Sequence, residues 1–60
     1  MRDWRPIETA PHQRNIEVAV RDRAGTHILE TPCLHRDGLW IDAKSGRVLD
    51  IHPTHWREYE

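Results

Sequence analysis

Sixty residues and 7.2 kDa fit a single small domain, residues 1–60, and exclude a second core or an active site enclosed between lobes. Cys33 is the single cysteine, so no intramolecular disulfide can staple the fold, and the crosslinked secreted mini-protein class is excluded. Nine basic and ten acidic residues give a net charge of −1, and both signs are spread over both halves, which leaves no basic tail or acidic arm. A chain this short buries only about 60% of its unfolded surface. Aromatic packing, a metal or a partner chain must therefore supply what a disulfide does not.

The 37% hydrophobic content and three tryptophans mark a chain that folds, because a disordered segment carries few aromatic residues. Met1 to Ala10 hold no apolar stretch of the signal-peptide kind, and no apolar run approaches the ~20 residues that span a bilayer. The expectation is a cytoplasmic protein with no membrane partner, and a free cysteine suits that reducing compartment.

In chain order, Asn15 to Arg21 alternates, with Ile16, Val18 and Val20 on one side and Glu17, Ala19 and Arg21 on the other, which is the clearest strand. Asp22-Arg23-Ala24-Gly25 reads as a turn, and Thr26 to Thr31 as the returning strand of a hairpin. Pro32 removes a ladder donor, so this second strand is expected at an edge or bulged before Cys33-Leu34-His35. Asp37-Gly38 marks the next turn, Leu39 to Asp42 a third strand, Ala43 to Gly46 a turn, and Arg47 to Ile51 a fourth strand. Prolines at 6, 11, 32 and 53 leave room for no more than a helical turn near either end.

The expected fold is mainly β: a four-stranded antiparallel meander closed by terminal arms, with a partly open SH3-like barrel as the form in which it closes. Its third and fourth strands project apolar groups from both faces, Leu39 and Ile41 opposite Trp40, and Val48 opposite Leu49 and Ile51. Something must cover the second face. The candidates are the arms, which carry Trp4, Ile7 and Trp56, or a second subunit in a homodimer.

Two stretches stand out at the ends: Trp4-Arg5-Pro6-Ile7-Glu8-Thr9-Ala10-Pro11 and Pro53-Thr54-His55-Trp56. Together they resemble a family of small phage and prophage proteins classed as a domain of unknown function, whose members open with a Trp-x-Pro-Ile-x-Thr-Ala-Pro box and close with Thr-His-Trp. Two departures are visible. His12-Gln13-Arg14-Asn15 stands where the family has an Asp-Gly turn, and Arg57-Glu58-Tyr59-Glu60 replaces its proline-rich ending. The resemblance implies a phage-derived origin and a compact β-rich fold, and it carries no catalytic residue over. Read physically, the boxes form a clasp in which Trp4 and Trp56 pack together, Thr9 bonds nearby backbone and Thr54 or His55 ties down backbone groups, or else an exposed recognition surface that also takes in Trp40.

Three chemistries have residues to carry them. Cys33 with His35, and His52 with His55, invite a zinc site, although the spacing matches no standard finger. Cys33 beside a histidine has the elements of a nucleophile pair, but sixty residues hardly provide an oxyanion site and a water-excluding pocket as well. Arg14, Arg21 and Arg23, with Trp40 as a stacking platform, offer single-stranded nucleic acid a surface, against a pI of only about 6.5. A nearly neutral, aromatic-bearing surface suits protein contacts better. The reading is a non-enzymatic accessory protein that binds a protein partner, with nucleic-acid and zinc binding as alternatives and no cofactor.

Overall fold

The computed structural model describes residues 3–59; Met1, Arg2 and Glu60, which belong to the opening and closing segments discussed above, lie outside the described residues. Six strands form one antiparallel sheet: β1 (Arg5–Pro6), β2 (Ile16–Asp22), β3 (Gly25–Arg36), β4 (Leu39–Asp42), β5 (Val48–Leu49) and β6 (His55–Glu58). Their order across the sheet is β1-β6-β2-β3-β4-β5.

The meander is there, as β2 to β5 in consecutive pairing. The arms do more than close it, because each contributes a strand, and β6 pairs with β2 while β1 pairs with β6. Four expected strands therefore become six. The sheet is open and does not close into a barrel, which corrects the SH3-like alternative. The physical reason is that β1 and β5 are two-residue strands at opposite edges, too short to span the gap and pair with each other. The single helical element among the described residues is a turn of 3-10 helix, Ile7–Thr9, closed by a 3.0 Å bond from Ala10 N–H to the Ile7 carbonyl. No helix among the described residues is long and apolar enough to cross a membrane.

Local chemistry explains the turns. Asp37 and Gly38 both take positive φ, 52° and 77°, as a two-residue type I′ hairpin demands and as few residues other than Asn, Asp and Gly accept. The Asp42 carboxylate accepts the Lys44 N–H at 2.8 Å, and Gly46, at φ 78°, donates its N–H to the Asp42 carbonyl at 2.7 Å. Pro32 is resolved as a bulge rather than an edge. β3 lies between β2 and β4, but its register against β2 slips between Ile16 and Val18, where Glu17 alone faces the three residues Glu30, Thr31 and Pro32. The Pro32 carbonyl is satisfied by Ala43 N–H at 3.0 Å.

Alternation divides the sheet into two faces. The inward one holds Ile16, Val18, Cys33 and Trp56, each between 0% and 4% exposed, with Ala10 beside them. Ile7, Leu29, Trp40, Leu49 and Ile51 pack around this cluster, so both arms and the chain after β5 fold onto the same side. Trp56 dominates the energetics, since a buried tryptophan removes 150–250 Å² from water, about 4–6 kcal/mol before entropy is subtracted.

Candidate binding surface

The two terminal boxes meet edge to edge. Arg5 lies opposite Trp56 and Pro6 opposite His55, and Ile7 N–H donates to the Thr54 carbonyl at 3.0 Å. The indole Nε1–H of Trp56 donates to Thr9 Oγ1 at 2.9 Å, and that hydroxyl donates onward to the Pro6 carbonyl at 2.7 Å. A hydroxyl can accept and donate at once, so a single threonine satisfies a buried indole and a turn carbonyl together. Thr54 anchors the other side. Its N–H donates to the Ala19 carbonyl at 2.9 Å, while its hydroxyl accepts Arg21 N–H at 2.9 Å and shares a 2.8 Å hydrogen bond with His55 Nδ1.

One part of the expected clasp is corrected. Trp4 pairs with a cation instead of with Trp56: the Arg57 guanidinium carbon lies 4.1 Å from the Trp4 ring centroid, while Arg5 sits 5.5 Å from that of Trp56. The reason is pleat geometry. Arg5 opposes Trp56 and shares its face, so Trp4, one residue earlier, falls on the other face with Arg57. Arg57 is also ion-paired with Glu17, its cross-strand neighbour on β2, and the pair is mostly shielded from solvent. Trp4, Arg57 and Glu17 thus form an aromatic and ionic row across β1, β6 and β2 on the outward face.

Cys33 is fully buried and its thiol is pushed up to about 11, first by burial and then by the Asp42 carboxylate opposite it on β4. It is protonated at neutral pH and shielded, the opposite of an activated nucleophile. His35 shares the inward face with Cys33, as their two-residue spacing predicts, and is sandwiched between His12 at 4.5 Å and Trp40 at 4.4 Å, all three rings nearly parallel. Burial, and next the charge of His12, push His35 below the ordinary histidine value, against a hydrogen bond to the Ala10 backbone. Its Nδ1 is buried with no hydrogen-bond partner among the described residues. One face of Trp40 is occupied by this stack, and the side chain packs against the core.

The zinc residues are split by the same alternation. Cys33 and His35 point inward, His55 lies beside the inward-pointing Trp56 and so faces out, and His52 is exposed in the connection before β6. Among the described residues no three His, Cys, Asp or Glu side chains are grouped to hold a metal ion. The three arginines do not gather either. Arg21 and Arg23 sit at the β2–β3 hairpin, whereas Arg14 precedes the other end of β2 and grips the Glu58 carboxylate with two nitrogens. Glu58 is held below its usual range first by that hydrogen bond, with burial opposing.

Away from the clasp the outward face carries an apolar row. Leu34, Ile41 and Val48 stand in one cross-strand row over β3, β4 and β5, with Leu39 two residues from Ile41 on the same face. Ile28 continues the face beyond Ala19, its cross-strand partner. Val48 is 60% exposed, Leu39 47% and Ile28 43%. The two-sided apolar pattern of the third and fourth strands pointed to this surface. Sequence alone missed Glu17, Arg57 and His12, because nothing local reveals which charges and rings a sheet will align.

No family model, no curated protein and no solved structure matches this chain.

Proposed function

We propose that the protein is a non-enzymatic accessory module of phage or prophage origin that binds a protein partner through the outward apolar face of its sheet. The observation that carries the reading is the position of the exposed large hydrophobic residues: Leu39 and Val48 lie opposite the core and Leu34 and Ile41 join them into a continuous surface, with Ile28 on the same face beyond the bulge in β3. Apolar side chains standing alone on a surface are ordinary, but a contiguous row across three strands is a contact surface in search of a cover. The terminal arms are spent on the inward face, on strand pairing and, through Trp4 and Arg57, on the far side of the outward face, away from this row. Phage origin rests on the resemblance carried by the two terminal boxes. Nucleic-acid binding has less to support it, since Arg14 is engaged with Glu58 and separated from Arg21 and Arg23 by the length of β2.

The test is a photo-crosslinking amino acid at position 48, activated in cells of the native host. Discrete protein adducts that disappear when Leu39→Glu is added support the reading. Absence of any adduct, or adducts indifferent to Leu39→Glu, overturns it.

A further inference from the structure

The outward row is unusual in matching its own mirror arrangement, and this points to what covers it. Leu34 on β3 and Val48 on β5 flank Ile41 on β4. At one end of the row Arg36 lies opposite Leu39. Asp50 is the first residue after β5, next in line after the Trp40–Leu49 pair on the side of Leu39. Leu49 and Ile51 both pack on the core, which turns Asp50 between them outward, and Arg36, next to the inward His35, is turned outward in the same way. Both charges are exposed. The face therefore carries a cation on its β3 side, an anion on its β5 side, and apolar groups between.

A two-fold axis parallel to β4, lying just outside the sheet, superposes β3 of one copy on β5 of another. Ile41 then meets Ile41 and Leu39 meets Leu39 at the axis. The larger Leu34 covers the smaller Val48 in both directions, and Arg36 meets Asp50 twice. Such a contact is isologous, as closed dimers require, and each charge finds the opposite sign. Translating one copy by a strand in either direction would lose both ion pairs. Two sheets packed this way lie ~10 Å apart, a distance that branched aliphatic side chains fill.

We propose that this face is a self-association surface and that its occupant is a second copy of this chain, docked about that two-fold axis. The inference rests on the reading of the same face as a protein-binding surface and names its partner. Three strands at ~4.8 Å spacing make a narrow contact, at the small end of specific interfaces, so the dimer forms and dissociates with concentration.

Sedimentation equilibrium of the intact chain up to ~1 mM, where a millimolar self-affinity is half saturated, should show the mass rise from 7.2 kDa toward twice that value. Arg36→Asp and Asp50→Arg should each weaken association about tenfold by setting like charges together, and the double swap should restore it to within about threefold of the parent. Far-UV circular dichroism confirms that each variant keeps its sheet. A parent that stays monomeric at ~1 mM, or a double swap no better than its single variants, overturns the proposal. The position-48 crosslinks separate this failure from that of the broader reading: adducts at the dimer mass support self-association, adducts only at other masses overturn it while keeping a protein-binding face, and no adduct sinks both.

Discussion

The two faces of this sheet are made by the same strands from residues of similar hydrophobicity, yet one is closed and the other open. On the inward face Ile16, Val18, Cys33 and Trp56 are essentially removed from water, whereas Val48, Leu39 and Ile28 opposite them keep between 43% and 60% of their surface exposed. The difference lies in what lands on each face. Inward, the Ile7–Thr9 turn, Ala10 and Ile51 supply a cover from segments far apart in the chain. Outward, the Trp4, Arg57 and Glu17 row covers the side of β6 and β2 and stops before β3. Sixty residues suffice to cover one face of such a sheet and half of the other. Incomplete coverage, in a chain with no disulfide, leaves stability concentrated on one side and contact capacity on the other.

The sharpest way to break this comparison is to remove the inward anchor. Trp56→Ala should cost about 3–5 kcal/mol through lost burial and the cavity left behind, comparable with the entire stability of a domain this size, roughly 3–9 kcal/mol at 0.05–0.15 kcal/mol per residue. Urea denaturation followed by circular dichroism should find the variant largely unfolded in buffer. A midpoint close to that of the parent would mean that the inward face is not where stability resides.

A smaller, pH-dependent effect comes from Cys33. Its thiol titrates near 11 in the folded chain and ordinarily near 9. The unfolded chain therefore loses the proton first as pH rises, so folding stability is fully present below pH 9 and declines through about pH 11. Two units correspond to roughly 2–3 kcal/mol. Denaturant midpoints measured across that window should fall for the parent, and Cys33→Ala should remove the cysteine's share of the slope while lowering stability at neutral pH.

The smallest effect belongs to the outward face. Val48→Ser should change the stability of the dilute monomer by no more than about 0.5 kcal/mol, because the side chain is already mostly in water. A loss as large as that from an inward substitution would show that the row is packed within the monomer and is no docking surface.

Much of this architecture was legible before the fold was known. Alternation in Asn15–Arg21, the Asp37-Gly38 pair, the glycine at 46 and the Pro32 interruption located the meander, its turns and its bulge, because each acts through backbone conformation within a few residues. The apolar pattern on both sides of Leu39–Ile51 announced a face needing a cover. Hidden were the promotion of the arms to strands β1 and β6, the opposite facing of Trp4 and Trp56, the His12, His35 and Trp40 stack, and the division of the cysteine and histidines between faces. All of these depend on register between distant segments or on a loop folding back, and one residue of slip would reverse the facing of the paired side chains.

The sequence by itself determined that the chain is a small β domain with regular hairpins, no covalent staple and more apolar strand surface than one layer can hide, because pleat, proline and glycine chemistry are local. Only the tertiary structure decided which face the arms would cover. Pairing of Arg5 with Trp56 and of Trp56 with Val18 commits the ends of the chain to one edge and turns Trp56 to the inward side. The hydrophobic row left on the other side is what remains available to a partner.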